Sequence, residues 1–255
     1  MEHTLRKISS RLWYMDFDPD TDRPNLGYLR GDRVSAMFDC GSSPAHVAEF
    51  FAKLQENELP LPSFAILSHW HWDHALGMRS LGIPVIAGAR TQEKLKEVSA
   101  WEWTEEAMAK RLETGEDILF CDDHIRKEYG GQLADVPRFR PADASFTEPL
   151  ELDLGGLTIR LMHIGGPHSE DSIVCYVPGE RFLFLGDSAG KDLYETPWHY
   201  DPSDPEASDR AMDEMPYDIP RLERYRETLR QLDFDRCLEG HTLPETRTEF
   251  FDSLR

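Results

Sequence analysis

Apolar and polar positions follow two different periods along this chain, and the changes of period outline its elements. Up to residue 98, short apolar runs bounded by turn residues alternate with segments in which apolar residues recur at helical spacing. The strands predicted there are Ile8–Tyr14, Asn25–Arg30, Val34–Asp39, Phe64–Leu67 and Ile83–Ala87, and the predicted helices are Pro44–Asn57, Ala75–Ser80 and Thr91–Val98. An antiparallel meander followed by alternating strands and helices is therefore expected, as in an α/β layer.

Residues 99–147 interrupt this rhythm. Tryptophans and charged residues lie on sequence of helical character, and a further helix is predicted over Asp117–Tyr129, before Gly130 ends it. We interpret the segment as a helical insertion between two halves of one fold, serving substrate access, a structural lid or a dimer surface. His124 has no neighbour at ligand spacing, so we expect it on an exposed helix face rather than at a metal.

The strand pattern returns at Phe146 and defines a second half. Predicted strands are Pro149–Leu154, Leu157–His163, Ser172–Val177, Phe182–Leu185 and Phe234–Leu238, and a helix is predicted over Pro220–Leu232. Between them, residues 191–220 are polar, rich in aspartate and punctuated by proline. A long segment of this kind indicates a functional loop.

Composition narrows the class of protein. The chain has 255 residues, 40% of them hydrophobic, which suits one large domain over 1–255. A net charge of −20, from 28 basic and 48 acidic residues, argues against a nucleic-acid partner. We find no signal peptide and no apolar run of membrane-spanning length. The four isolated cysteines are typical of free thiols in a reducing compartment, so a cytoplasmic protein is expected.

The most informative stretch directly follows the apolar run Phe64–Leu67. It carries four metal-competent side chains within six residues, namely His69, His71, Asp73 and His74. Imidazole and carboxylate are ligands that zinc favours, and a catalytic zinc takes about three protein ligands and keeps one position for water. Four ligands are therefore more than one metal needs.

The pattern His69-x-His71-x-Asp73-His74 after a hydrophobic strand resembles the signature of the metallo-β-lactamase superfamily. The resemblance implies three further ligands, His168, Asp187 and His241, each shortly after a predicted strand. His163 competes with His168, but it belongs to a strand, so His168 is preferred. Asp39, in an Asp-x-Gly turn, is expected either to support the metal loop or simply to form the turn.

The resemblance also implies a fold and a centre. The fold is an α/β (α+β) protein, the four-layer αββα sandwich, with the metals at one edge of two facing sheets. One divalent ion would be held by His69, His71 and His168, and a second by Asp73, His74 and His241, with Asp187 bridging them. Two zinc ions are expected, with manganese or iron as alternatives.

Such a centre indicates a hydrolase, because metal-bound water has a pKa near 7 and supplies hydroxide at neutral pH. The resemblance also implies that Asp73 orients this nucleophile and takes up its proton. A bridging aspartate favours the lactonase and glyoxalase II branches over many β-lactamases, so the expected substrate is a small-molecule ester, lactone, thioester or amide. The alternatives are a phosphodiesterase, a diiron oxidoreductase and a non-catalytic metal-binding protein.

Two further expectations come from sequence position and composition rather than from a motif. Tyr194, His199 and Tyr200 follow Asp187 closely and are candidates for substrate or oxyanion contact, or are aromatic residues that anchor a loop. The tryptophan-bearing insertion is a candidate surface for a homodimer.

Overall fold

The structure, a computed structural model, describes residues 3–254. The strands are β1 Leu5–Lys7, β2 Leu12–Met15, β3 Leu26–Arg30, β4 Ser35–Phe38, β5 Phe64–Leu67, β6 Val85–Gly88, β7 Ala144–Phe146, β8 Leu150–Asp153, β9 Thr158–His163, β10 Ile173–Val177, β11 Phe182–Gly186, β12 Arg236–Glu239 and β13 Glu245–Thr246. The α-helices are α1 Pro44–Glu56, α2 Trp72–Ala75, α3 Ala89–Val98, α4 Glu105–Thr114, α5 Leu119–Glu128, α6 Pro205–Glu214, α7 Ile219–Arg230 and α8 Arg247–Ser253, and short 3₁₀ helices cover Leu76–Arg79, Leu133–Asp135 and Pro178–Glu180.

The strands form two sheets that follow the two halves of the sequence. The first sheet has the order β1-β2-β3-β4-β5-β6-β7, antiparallel up to β4 and parallel from β4 onward. The second has the order β13-β12-β11-β10-β9-β8, in which only the β11–β12 pair is parallel. The strand–helix alternation of the first half therefore builds a mixed sheet, as its pattern predicts.

The two sheets face each other across an apolar core. Phe38 on β4 and Phe184 on β11 meet across the layer with ring centroids 5.6 Å apart. Leu12, Leu29 and Ile66 from the first sheet belong to the same buried cluster as many side chains of the second. Interdigitated inner faces of this kind are what hold a sandwich together.

Helices cover both outer faces. Apolar residues of α1, α3, α4 and α5 pack on the outer face of the first sheet, and those of α7 and α8 pack on the second. The layers are therefore helix, sheet, sheet, helix, and the predicted αββα sandwich is confirmed. All four cysteines are buried and unpaired. None of the helices within residues 3–254 combines the length and apolar character needed to cross a bilayer.

Several predicted elements differ in detail. The single strand predicted over Ile8–Tyr14 is wrong: β1 and β2 are separate, because the Ser9 hydroxyl accepts hydrogen bonds from the backbone amides of Arg11 and Leu12 and turns the chain. The helix predicted over Ala75–Ser80 begins earlier, at Trp72, and continues only as a 3₁₀ turn.

The predicted helical insertion and the predicted long loop also differ in detail. Strand β7 lies inside 99–147 and pairs with β6, so the inserted helices end before it. The 191–220 segment contains α6, whose N-cap Asp204 accepts a hydrogen bond from the Ala207 amide. The buried residue of α6 is the polar Ser208, and Met212 is its one large apolar residue, so the sequence there looks like a polar loop.

Candidate metal centre

Four loops deliver the predicted ligands to one edge of the sandwich. His69 and His71 lie between β5 and α2, and Asp73 and His74 form the first turn of α2. The other three follow strands of the second sheet: His168 lies in the loop after β9, Asp187 directly follows β11, and His241 lies two residues beyond β12. Both halves therefore contribute ligands, as the sequence predicts.

The first group consists of three imidazoles. One ring nitrogen from each of His69, His71 and His168 lies within 4.8 Å of the others, and all three residues are buried. His168 Nε2 is 2.9 Å from His71 Nδ1. His168 Nδ1 bonds to the Lys191 carbonyl at 2.8 Å, and the Nδ1–H must be the donor there, because a carbonyl only accepts. The lone pair on Nε2 therefore points to the common centre.

The second group mixes carboxylates with imidazoles. Asp73 Oδ2 lies 2.9 Å from His74 Nε2 and 3.2 Å from His241 Nε2. Asp187 Oδ2 lies 3.2 Å from His74 Nε2 and 3.3 Å from His241 Nε2. These four residues satisfy the geometry of a metal-holding cluster on their own.

Asp187 lies between the groups. Besides its contacts in the second group, its Oδ2 is 3.8 Å from His168 Nε2 in the first. The rings of His69 and His74, one from each group, have centroids 4.3 Å apart. This is the position that a bridging carboxylate would occupy.

Two buried ring nitrogens, one from each group, test whether metal ions fit. Within residues 3–254, His69 Nε2 and His74 Nε2 have no well-formed hydrogen bond. Leaving a buried polar group unsatisfied costs about 1–3 kcal/mol. A divalent cation at each group would satisfy such atoms and offset the charge of the carboxylates, so the donor set fits two metal ions.

Burial and charge act differently on the two groups. Burial lowers the pKa of His69 and of His71 well below that of ordinary histidine, and neighbouring imidazoles lower both further. At His74 and His241 burial also opposes the charged form, but the carboxylates of Asp73 and Asp187 outweigh it and raise both pKa values well above the ordinary one. His69 and His71 can thus bind a metal ion without losing protons.

Asp39 supports the metal loop and also forms a turn. Its φ of 69° places it in the left-handed region, which aspartate tolerates better than most residues. Its Oδ1 accepts a hydrogen bond from the Ser68 amide at 2.9 Å, and its Oδ2 lies 2.9 Å from His74 Nδ1. Both expectations for Asp39 therefore hold, and a carboxylate behind a ligating histidine is a common way to fix its orientation.

Two glycines allow the loops to approach each other, and sequence reasoning missed this role. Gly240 lies against Asp187, so that a Cβ at residue 240 would collide with the Asp187 Oδ1. Gly186 has a φ of 56°, and a Cβ there would lie 2.6 Å from Ser68 Cβ. The sequence signal for this role was position, because each glycine directly precedes a predicted ligand, Asp187 or His241.

A cavity of about 1120 Å³ opens above the centre. His71, Asp73, His168, Asp187 and His241 lie at its floor. Its walls come from the helical insertion, through α5, and from residues 190–217, including α6. The two segments whose role was open in the sequence thus enclose the space above the metal groups.

The three aromatic candidates are placed differently. Tyr194 and Tyr200 line the cavity, whereas His199 is exposed and is not among the lining residues. The Tyr194 hydroxyl lies 3.3 Å from Cys121 Sγ, and the Tyr200 hydroxyl donates to the carboxylate of Asp123. Both hydroxyls are therefore engaged by the insertion, and direct contact with substrate stays a prediction.

Two other histidines lie outside the ligand groups. His163 is exposed, and its Nε2 bonds to the Glu170 carbonyl at 2.8 Å, in agreement with the preference for His168. The expectation that His124 is exposed is wrong: it is buried under the cavity wall, where its Nδ1 bonds to the Phe120 carbonyl and its ring packs on Phe120.

Comparison with known proteins agrees with this architecture. A metallo-beta-lactamase from Pontibacter korlensis has a similar structure, with a TM-score of 0.67 and 17% identity over 99% of this chain and 97% of that one. A metallo-beta-lactamase variant from Cronobacter sakazakii has a TM-score of 0.61 and 16% identity over 93% and 80%. For DIM-1 metallo-beta-lactamase the values are 0.60 and 17%, over 100% and 97%. At these identities the likeness concerns the fold.

No curated protein sequence matches this chain. The model of the metallo-beta-lactamase superfamily matches residues 20–219. This range contains six of the seven ligand candidates and most of the apolar core between the two sheets. With its αββα layers and its two groups of His and Asp side chains, the chain belongs to the metallo-beta-lactamase superfamily.

Proposed function

We propose that this protein is a dinuclear metal-dependent hydrolase of uncharged small molecules that carry an ester, lactone, thioester or amide bond. The observation that carries the proposal is the pair of adjoining ligand groups at the floor of a 1120 Å³ cavity. Two divalent ions, of which zinc is the expected one, would supply a hydroxide nucleophile at neutral pH and stabilise the developing oxyanion.

The chain's own residues would orient the water at this floor. Burial disfavours ionisation of Asp73, but His74 and His241 outweigh it and hold the pKa of this carboxyl below its ordinary value. Asp73 is therefore an ionised acceptor at neutral pH, suited to hold a hydrogen bond from water. Because so acidic a group is a weak base, orientation is its main contribution.

The cavity wall supports an uncharged substrate. Phe17, Phe120, Leu193 and Met212 contribute apolar surface, and among the described residues that line the cavity the basic ones are two lysines, Lys127 and Lys191.

Both lysines are already engaged. Lys127 is paired with Asp123 at 2.7 Å, and Lys191 donates to the carbonyls of Met212 and Asp213 at 2.9 and 2.6 Å. A phosphodiester or a carboxylate-bearing substrate would thus find little cationic surface besides the metals, which favours neutral acyl substrates.

The test combines metal content with activity. Protein purified without added metal or chelator is analysed for zinc, manganese and iron per chain. It is then chelated, reconstituted and assayed on a panel of esters, lactones, thioesters, amides and phosphodiesters. About two ions per chain and metal-restorable hydrolysis of neutral substrates are the expected result. Iron with oxygen consumption and no hydrolysis would instead indicate the redox alternative.

Two variants make the test specific for the centre. Asp73→Asn is expected to lower kcat by about 10²-fold or more, the usual cost of misplacing a reacting group. Asp20→Asn changes an exposed carboxylate on the same cavity and is expected to leave kcat unchanged. Equal activity of the two variants would contradict the role of Asp73.

A further inference from the structure

His241 is the least enclosed member of the two ligand groups. Its side chain is 28% exposed, compared with 13% for Asp187 and 7% or less for the five others. It also lies two residues beyond the end of β12, and the last contact of its loop with the second sheet is the hydrogen bond from the Gly240 amide to the Gly186 carbonyl at 2.9 Å. Contacts from another part of the chain add to this one bond.

Asn25 supplies those contacts from the opposite half of the fold. It is buried in the segment between β2 and β3, and its Nδ2 donates to the carbonyls of Glu239 at 2.8 Å and Thr242 at 2.7 Å. Its backbone amide donates to the Gly240 carbonyl at 2.6 Å. The carbonyls on both sides of His241 are thus held by one residue.

The remaining hydrogen-bonding group of the Asn25 side chain is also used. Its Oδ1 accepts from the Phe17 amide at 3.0 Å, so both N–H donors and the carbonyl oxygen of the amide have partners. A side chain satisfied in this way has one defined orientation. It joins residues 16–25 rigidly to residues 239–242.

Asp22, in the same segment, faces the His241 ring from behind. Its Oδ1 lies 3.6 Å from His241 Nδ1, while His241 Nε2 faces Asp73 and Asp187. This separation exceeds a hydrogen bond, so Asp22 contacts the ring without bonding to it. The Asp22 carboxyl group therefore lies against the side of the ring that faces away from the second group.

The segment itself is anchored to two helices. Arg23 pairs with Glu49 on α1 at 3.0 Å and with Glu128 on α5 at 2.8 Å. Asp18 and Arg23 also form an antiparallel bridge. Residues 16–25 can therefore transmit a fixed position to His241 rather than move with it.

We propose that Asn25 is a positioning residue for His241, and that residues 16–25, through Asn25 and Asp22, set the metal affinity of the Asp73–His74–Asp187–His241 group. The proposal rests on the two-metal centre of the proposed function. Outer contacts that orient metal ligands typically change metal affinity by about 10–100-fold. Because the His69–His71–His168 group receives no hydrogen bond from Asn25, its affinity serves as an internal reference.

The experiment measures two zinc-binding constants on the full chain. Metal-free protein is titrated with zinc against a competing chelator, and native mass spectrometry reports the number of ions bound. His241→Ala identifies which constant belongs to the second group. Asn25→Asp keeps the shape and the acceptor of the side chain but removes its amide donors. It is expected to weaken zinc binding at the second group (the second constant) by about 10–100-fold and to leave binding at the first group (the first constant) unchanged.

A second variant changes the other residue of the segment that faces His241. Asp22→Asn keeps the shape of the side chain but replaces the carboxyl group 3.6 Å from His241 Nδ1, and it is expected to weaken zinc binding at the second group by roughly tenfold. Asn57→Asp, at the other asparagine of the chain, and Asp135→Asn, at an exposed aspartate outside the cavity and outside residues 16–25, are the matched controls and are expected to bind both ions as the unchanged protein does.

The outcomes separate this proposal from the proposed function. Fewer than two zinc ions on the unchanged protein would refute the two-metal centre. Two ions with an unaltered or strengthened second constant in Asn25→Asp, or an equal loss of both constants, would refute the positioning role alone. Circular dichroism of the metal-free variants reports folding. If Asn25→Asp does not fold, the comparison of Asp22→Asn with Asp135→Asn decides.

Discussion

The two ligand groups lie side by side but are built on different physical principles. The first contains only imidazoles, all of them buried, and burial keeps His69 and His71 neutral. The second contains two carboxylates and two imidazoles whose pKa values the carboxylates raise. His69 and His71 can thus bind a cation without a change of protonation. His74 and His241 must each release a proton before they bind one. Two neighbouring metal sites in one fold can therefore bind their ions under different conditions of pH.

Removing the residue between the groups should have the largest effect. Asp187→Asn keeps the shape of the side chain but loses the charge that faces His74, His241 and His168. Charge stabilisation by paired metals is worth several kcal/mol, and about 1.36 kcal/mol corresponds to a factor of ten, so kcat/KM should fall on the order of 10³-fold or more. Steady-state kinetics on the substrate panel measures this.

The control for that variant is Asp213→Asn, at an exposed residue of the cavity wall, which should retain full activity. Activity of Asp187→Asn within tenfold of the unchanged protein would show that the two groups do not act through a shared carboxylate.

The pH dependence of zinc binding should separate the groups further. His74 and His241 have raised pKa values and carry protons in the metal-free protein at neutral pH, so each proton must leave before zinc binds. Affinity of the second group should therefore rise with pH, by up to about 100-fold per pH unit for two protons, between about pH 6 and 8. His69 and His71, with lowered pKa values, are already neutral, so the first constant should vary much less.

The same titrations, repeated at several pH values, provide the measurement. Equal slopes for the two constants would mean that the charge difference between the groups does not govern how they fill.

The smallest expected effects come from the groups behind the ligands. Asp39→Asn replaces the carboxylate 2.9 Å from His74 Nδ1 and should weaken the second constant by about 10–100-fold.

Ser68→Ala removes the hydroxyl 2.9 Å from His69 Nδ1, a neutral hydrogen bond worth about 1 kcal/mol, so the first constant should weaken only several-fold. A larger loss for Ser68→Ala would reverse the proposed contrast, and unfolding midpoints of the metal-free variants control for stability.

Much of the fold was predictable because its signals are local. Apolar runs such as Phe64–Leu67 and the helical spacing over Pro44–Asn57 correspond closely to β5 and α1. The exposed α6 was missed because it has one large apolar residue, Met212, and its buried residue is the polar Ser208, so the segment resembles a polar loop. The turn at Ser9 was missed because a side-chain hydroxyl, rather than glycine or proline, breaks the strand there.

The ligand set was predictable for a related reason. The motif from His69 to His74 is compact, and the later candidates each follow a strand, so their order along the chain was enough to nominate them. Supporting residues carry no such signal. Asn25 follows a proline in a turn-rich segment and would pass for an ordinary turn residue, although it bonds to backbone more than 200 residues away.

The sequence by itself determined the alternating elements, the acidic charge and the seven candidate ligands, because hydrophobic period and side-chain chemistry are properties of neighbouring residues. Only the tertiary structure decided that the ligands divide into a neutral and a charged group, that the insertion and α6 enclose the cavity, and that Asn25 holds the His241 loop. The physical reason is that pKa values, enclosed volume and long-range hydrogen bonds depend on which distant segments the packed sheets bring together.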